Sequence, residues 1–288
     1  MLKLVNPLLF SYIRPSEIPI RLCSASSKLP VKLEKLENEN KGIALLRMDL
    51  PEKKNAFSAI MVKTFRKILY DLKFDKEVRV LILKSDVPGV FCSGADLKER
   101  LNFSVDDFLN SDTHPKYVTH EVAKLPFPTI AAIEGYALGG GLELALACDI
   151  RVATNEAKLG LVEAKLGIIP GAGGTQWLSR AVGLSLAKEL IFTGRMITGK
   201  DAAEIGLVSH ALEKDAFSKG MEIAKEILKT GPIAVRMAKI AIDQGAQMDI
   251  NSGLTVEQQC YAQVIPTEDR VEALKAFSEK RTPVFKGK

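Results

Sequence analysis

Apolar positions along the chain follow two periods. Val31 to Glu37 alternates apolar and charged residues, as an edge strand does. Gly42 to Leu50 carries Ile43, Ala44, Leu45, Leu46, Met48 and Leu50, which reads as a buried strand. Pro51 to Asn55 is a turn. From Ser58 to Phe74 the spacing becomes helical: Met61, Phe65, Ile68 and Leu72 share one face, and Lys63, Arg66 and Lys67 lie opposite. Val78 to Leu83 is a strand, followed by a turn at Val87-Pro-Gly89. A polar helix is expected to start near Leu97. Residues 101–115 are dominated by Asn, Ser, Asp and Thr, the composition of a mobile surface stretch that could serve as a lid. Thr129 to Ile133, Ile150 to Ala153 and Lys158 to Val162 read as further strands. Helices are expected over Leu142–Cys148, Trp177–Val182, Ser185–Phe192, Lys200–Ile205, Phe217–Lys229, Pro232–Asp243, Asn251–Ala262 and Asp269–Lys280. Units of ββα type thus fill the first two thirds and helices the last third, with no linker between them. The pattern predicts one mixed α/β domain, residues 30–288, with a helical C-terminal region over about 232–288.

Composition narrows the class. The chain has 288 residues, 47% of them hydrophobic and 26% charged, enough apolar material for a sizeable core. No apolar run approaches the roughly 20 residues that span a bilayer. A net charge of +5 is too small to argue for nucleic acid by itself. The cysteines, Cys23, Cys92, Cys148 and Cys260, are widely spaced, and three of them sit in apolar surroundings, as reduced buried residues do. The histidines, His114, His120 and His210, have no metal-ligand spacing, so no metal is expected. Residues 1–29 differ from the rest: Lys3, Arg14 and Arg21 among apolar residues, a serine-rich end and one acid, Glu17. That is the composition of a mitochondrial transit peptide and predicts a matrix protein.

The chemistry concentrates in Glu134-Gly-Tyr-Ala-Leu-Gly-Gly-Gly-Leu-Glu143. An apolar strand runs through three glycines, Gly139, Gly140 and Gly141, into an apolar helix carrying one acid. Amides at a helix start have no intrahelical partner and face the positive end of the dipole. Glycine lets another group approach them closely. Glu143, in the first turn of an apolar helix, is expected to be desolvated, which raises its pKa and suits it to proton transfer near neutrality. Phe91-Cys-Ser-Gly-Ala-Asp96 is a second glycine-containing strand exit, and Gly167-Ile-Ile-Pro-Gly-Ala-Gly-Gly-Thr175, after Glu163, is a glycine-rich loop opening a helix.

These three motifs, in this order and at these separations, resemble the enoyl-CoA hydratase/isomerase (crotonase) family over residues ~31–285. Within it the similarity is strongest to a mitochondrial branch that also includes AU-rich RNA binding. The resemblance implies a crotonase-like fold of ββα units, with the C-terminal helices building a homotrimer or homohexamer. It implies no separate cofactor, because coenzyme A is part of the substrate. The thioester carbonyl would be held between the amides of Ala95 and Gly140, an oxyanion hole for an enolate-like transition state. The paired acids map to Glu143 and Glu163. Glu143 is assigned to activating water and Glu163 to exchanging the proton at Cα. The implied reaction is reversible hydration of a 2,3-unsaturated acyl-CoA, either a simple enoyl-CoA or methylglutaconyl-CoA. The alternatives are isomerisation, which typically needs one acid, and hydration with a secondary RNA-binding role.

The resemblance also implies CoA contacts. Lys54 and Lys98 would meet phosphates, and Ala56, Asp96 and Leu97 would line the adenine and pantetheine path. Phe277 and Lys280 would reach a neighbouring subunit's CoA. An RNA face would use Lys63, Arg66 and Lys67, although Ala59 replaces the first lysine of that comb and Asp71 follows. A second carboxylate on the acyl group would need a cation, for which Arg100 and Lys116 are candidates.

Overall fold

The computed structural model describes residues 29–101, 103–104 and 111–288. The expected transit peptide, Leu29 apart, and part of the candidate lid lie outside the described residues. In chain order the first elements are β1 (Val31–Lys35), β2 (Ile43–Met48), α1 (Ala59–Lys73), β3 (Val80–Ser85), β4 (Val90–Cys92) and α2 (Leu97–Arg100). There follow α3 (Lys116–Ala123), β5 (Thr129–Ile133), β6 (Tyr136–Leu138), α4 (Gly140–Leu146), β7 (Ile150–Thr154) and β8 (Lys158–Gly160). The remainder is α5 (Gly174–Val182), α6 (Leu184–Thr193), β9 (Ile197–Thr198), α7 (Gly199–Glu204), β10 (His210–Leu212), α8 (Ala216–Leu228), α9 (Pro232–Gly245), α10 (Ile250–Val264) and α11 (Glu268–Ser278).

Two sheets share the strands. The larger runs β1-β2-β3-β5-β7-β10 and the smaller β4-β6-β8-β9. Among the described residues β1 with β2 and β8 with β9 pair antiparallel, and the other pairs are parallel. Each winding therefore gives one strand to each sheet and then a helical turn: β3, β4, α2; β5, β6, α4; β7, β8 and the short turn at Glu163–Leu166. This is the mixed α/β arrangement of repeated ββα units that the sequence predicts.

Both faces of the larger sheet are covered, which explains its unbroken apolar runs. Ala44, Leu46, Leu81, Leu83, Ala131 and Ile133 pack into the main core with Phe65 of α1, Phe91 of β4 and Leu142 of α4. Their alternating neighbours Ile43, Leu45, Val80, Ile82, Ile130 and Val152 pack against Ala216 and Ala224 of α8. The α1 helix starts where Ser58 accepts the Met61 amide, and it buries Met61, Val62, Phe65, Leu69 and Leu72. Its inner stripe uses Leu69 where the sequence pattern pointed to Ile68, which is only half-buried.

Several elements differ from the expectation. Strands β4 and β6 have three residues each, too short to display a period. Strands β9 and β10 lie in a region expected to be wholly helical, for the same reason. The chain between β5 and α4 is not a direct passage, since β6 intervenes after a turn at Gly135. Strand β8 ends at Gly160, so Glu163 opens a short helical turn instead of closing the strand. The α3 helix was not foreseen, having only Val118, Thr119 and Val122 inside.

The C-terminal helices are anchored sparingly. Lys239 of α9 reaches Asp149, 2.8 Å away, which also accepts from the Thr129 amide. No side chain of α9 is fully buried, and α10 buries only Cys260. Ile242, Ile250, Leu254, Tyr261, Leu274 and Phe277 stand exposed, an apolar surface of the kind that meets partners. No helix among the described residues is long and apolar enough to cross a membrane.

Candidate active site

Three neighbouring parallel strands of the smaller sheet, β4, β6 and β8, deliver Ala95, Gly140 and Glu163 just past their carboxyl ends. The site thus takes one part from each of three successive windings.

Backbone geometry frees the two amides. Phe57 donates to Gly94 O at 2.7 Å and accepts from the Asp96 amide at 3.4 Å, a parallel bridge with Ala95 at its centre. Successive amides alternate in such a bridge, so the Ala95 N–H turns away from Phe57. Gly140 is the first residue of α4, and its N–H has no intrahelical acceptor. Among the described residues, neither amide donates to a backbone carbonyl. The two exits touch: a Cβ on Gly94 would lie 2.7 Å from Leu138 O and 3.3 Å from the Gly140 nitrogen. Gly94 also sits at φ +93°, where only glycine is unstrained.

The acids flank the same turn. A Cβ built on Gly139 would lie 3.1 Å from Glu163 Oε1, and one on Gly140 3.8 Å from Glu143 Oε2. Glu143 is 2% exposed and Glu163 8%. Glu143 Oε1 accepts two amides, Ala172 and Gly174, each at 2.8 Å. Burial pushes Glu143 above the ordinary carboxylate range, against the pull of those amides and of the Arg100 charge. Glu163 Oε2 is buried without a hydrogen-bond partner. Burial pushes Glu163 up to about 7; its own amide opposes the shift, the Glu143 charge adds to it, and Arg100 opposes it. Glu143 is therefore held by two amides of a distant loop, whereas Glu163 leaves one buried oxygen without a donor, an asymmetry that separates proton acceptor from proton donor.

An open cleft lies on the Phe57 side of the turn, lined by Phe57, Arg100, Phe103, Ser111, Thr113 and His114 among others. Phe57 links it to the amide cradle, since a Cβ on Gly140 would meet its ring at 3.3 Å. Arg100 is half-buried, and among the described residues its positive charge is the one that acts on both acids. Burial lowers its pKa while the two carboxylates raise it. Burial, with the charges of Arg100 and Lys116, holds His114 down at about 4, and its Nδ1 accepts the Lys116 amide at 3.1 Å. His114 is thus neutral near pH 7.

The other sequence candidates spread over the surface. Lys54, Leu97 and Lys98 are exposed near the Ala95 exit, and Ala56 is buried in the preceding turn. The Asp96 carboxylate caps α2 and pairs with Lys53 at 2.7 Å, which ties the exit to the Lys53 turn. Lys53 was not singled out from the sequence. Phe277 is 86% exposed, and among the described residues no hydrogen bond or ion pair links it or Lys280 to the acids or the amide cradle. Lys63 and Lys67 are exposed on α1, but Arg66 donates to Asp112 O at 2.8 Å and stacks on Tyr117. Arg66 thus holds the 111–113 segment against α1, leaving Lys63 and Lys67 as the exposed members of that expected trio. Lys116 lies over the Tyr117 ring, and only Arg100 of the two candidate cations acts on the acids. The amides of Ala172 and Gly174, and Thr119 behind them, were missed: backbone donors leave no residue-type signal.

Known proteins similar to this chain share one family. The family model for enoyl-CoA hydratase/isomerase matches residues 38–288. The chain is 52% identical over 262 residues to the human mitochondrial methylglutaconyl-CoA hydratase, covering 89% of this chain and 77% of that protein. It is 48% identical over 270 residues to the mouse mitochondrial enoyl-CoA hydratase domain-containing protein 2, covering 92% and 91%. The crystal structure of an enoyl-CoA hydratase from Bacillus anthracis superposes with a TM-score of 0.86 at 42% identity, covering 90% of this chain and all of that one.

Proposed function

The chain belongs to the enoyl-CoA hydratase/isomerase family, and from that premise we propose that it adds water reversibly across the 2,3 double bond of an acyl-CoA through Glu143 and Glu163. The observation that carries this reading is the pair of buried acids flanking the Gly139–Gly140 turn beside two unengaged amides. The thioester oxygen sits against the amides of Ala95 and Gly140. Ionised Glu143 takes a proton from water as its oxygen bonds to Cβ. The electron pair of the double bond moves toward the carbonyl, where the amides stabilise the oxyanion; one such donor is worth about 3 kcal/mol. Protonated Glu163 then gives its proton to Cα. Dehydration runs the same steps backwards. A double-bond shift needs one acid to move a proton; two buried acids, unequally held, favour hydration.

The proton assignment sets a pH dependence. Hydration needs Glu163 protonated, so kcat/KM in that direction should fall as pH rises past about 7. Initial rates with crotonyl-CoA over roughly pH 5–9 test this. A rate still rising well above pH 8 would remove Glu163 as the donor.

The acyl group is the finer question. A half-buried guanidinium in the cleft suits a substrate with a second carboxylate, as in methylglutaconyl-CoA, because a buried cation gains most from a charged partner. Arg100→Met should cut kcat/KM for 3-methylglutaconyl-CoA relative to crotonyl-CoA by about tenfold to a hundredfold, the size of one charged hydrogen bond. An unchanged ratio would assign Arg100 to the acids alone. The exposed apolar residues of α9–α11 are read as the surface on which copies assemble, bringing Phe277 to a neighbour's CoA. Sedimentation as a monomer would end that reading. The mitochondrial names of the relatives support a matrix address in residues 1–29, testable by fusing them to a reporter.

A further inference from the structure

We infer that Thr119 is a positioning residue for Glu143: its hydroxyl clamps the peptide whose flanking amides hold the Glu143 carboxylate. Thr119 lies on α3, 0% exposed, a polar side chain in an otherwise apolar stripe. Its Oγ1 donates to Ala172 O at 2.8 Å, across 53 residues. The competing bond to Lys116 O on its own helix is longer, 3.2 Å, so the hydroxyl is aimed at the loop. Ala172 O belongs to the peptide that joins Ala172 to Gly173. The amides on either side, Ala172 and Gly174, are the two donors to Glu143 Oε1.

That loop needs holding. Gly171, Gly173 and Gly174 give it large conformational freedom, and Gly173 sits at φ +110° with the Trp177 ring where a Cβ would go. Glycine at these positions permits the approach to Glu143 but does not enforce it. The α3 helix supplies the restraint from outside, through Thr119 on Ala172 and through His120, whose ring meets Trp177 edge-on at 5.9 Å. The charged groups that act on the Glu143 carboxyl are Arg100 and Glu163. His114 lies against Gly171 on the same loop, and His120 packs on Trp177. None of these is touched by removing the Thr119 hydroxyl.

Loosening the clamp weakens two hydrogen bonds that favour ionised Glu143. Thr119→Val keeps shape and burial but lacks the donor. For this variant we expect kcat to fall about fivefold to twentyfold with KM little changed, and the acid limb of the pH profile to move upward, while Thr119→Ser restores both. The turnover arm rests on the hydratase reading. A second arm does not: infrared titration of the ligand-free protein follows the carboxyl band that Glu143→Gln removes, and its midpoint should rise in Thr119→Val. A wild type without hydratase activity would fail the functional reading and leave this arm standing. If Thr119→Val does not fold, Thr119→Ala against Thr119→Ser gives the same comparison. A band that titrates as in wild type, or a slower variant with an unmoved acid limb, overturns the inference.

Discussion

Glutamine at position 143 or 163 should lower hydration of an enoyl-CoA by about a hundredfold to ten-thousandfold while the protein stays folded. The substitution keeps the shape. At 143 the amide oxygen can still accept from Ala172 and Gly174, so the loop remains in place, but water loses its base. At 163 the amide cannot surrender a proton to Cα. Steady-state kinetics with crotonyl-CoA checks both, and near-normal turnover in either removes that residue from the mechanism. The two variants should part in stability. The folded state holds Glu163 at about 7 against an ordinary value of 4.5. Between those values the folded chain keeps a proton that the unfolded chain has lost, so this residue's contribution to stability falls as pH rises through that window and is flat above it. Glu163→Gln lacks that liability. Its melting temperature relative to wild type should therefore climb from about pH 4.5 to 7, the window in which only the folded chain keeps the Glu163 proton. A melting difference independent of pH would mean that Glu163 is not the group titrating there.

Gly141→Ala should be among the most damaging single-methyl changes in the site region. A Cβ there would lie 2.1 Å from Cys92 O and 2.7 Å from its carbonyl carbon, both backbone atoms of a buried strand. Neither can swing aside. The α4 helix would have to lift off β4, carrying Gly140 and Glu143 with it. The expected cost is more than about 4 kcal/mol, in the range reserved for severe core defects, seen as loss of cooperative unfolding or insoluble protein. Gly220→Ala is the matched control. It lies inside α8, where a Cβ would meet Ile130 at an ordinary 3.5 Å. Alanine should be neutral there or stabilise by up to about 1 kcal/mol. Chemical denaturation of both variants decides; a Gly141→Ala melt close to wild type would mean that β4 and α4 are not in backbone contact.

Much of the fold was legible because long elements announce their period. Strand β2 and helices α1, α8 and α9 have enough residues for a pattern to repeat. The smaller sheet was not legible, because β4, β6 and β9 offer two or three residues each, and their pairing depends on windings far apart in sequence. The two acids proposed to do the chemistry, Glu143 and Glu163, could be picked out from the sequence, and the structure buries both beside the Gly139–Gly140 turn. Ala95 and Gly140 could also be picked out, through the glycines that surround them and the family motif they sit in. What stayed hidden was support: Arg66 engaged with Asp112, Asp96 engaged with Lys53, and a buried threonine reaching across to a carbonyl. These depend on which surface each turn faces, and local residue type does not encode that.

Because the donors of the cradle are main-chain atoms, they have no side chain to remove. An alanine scan through residues 92–96 and 137–141 would register crowding and loop strain, and would pass over the hydrogen bonds proposed to polarise the thioester. Inherited or engineered variants face the same limit: they can exchange the acids or crowd the glycines, but the dipoles stay. Only an ester in place of the peptide bond at Ala95 or Gly140, introduced by chemical ligation, would silence one donor and leave every side chain intact.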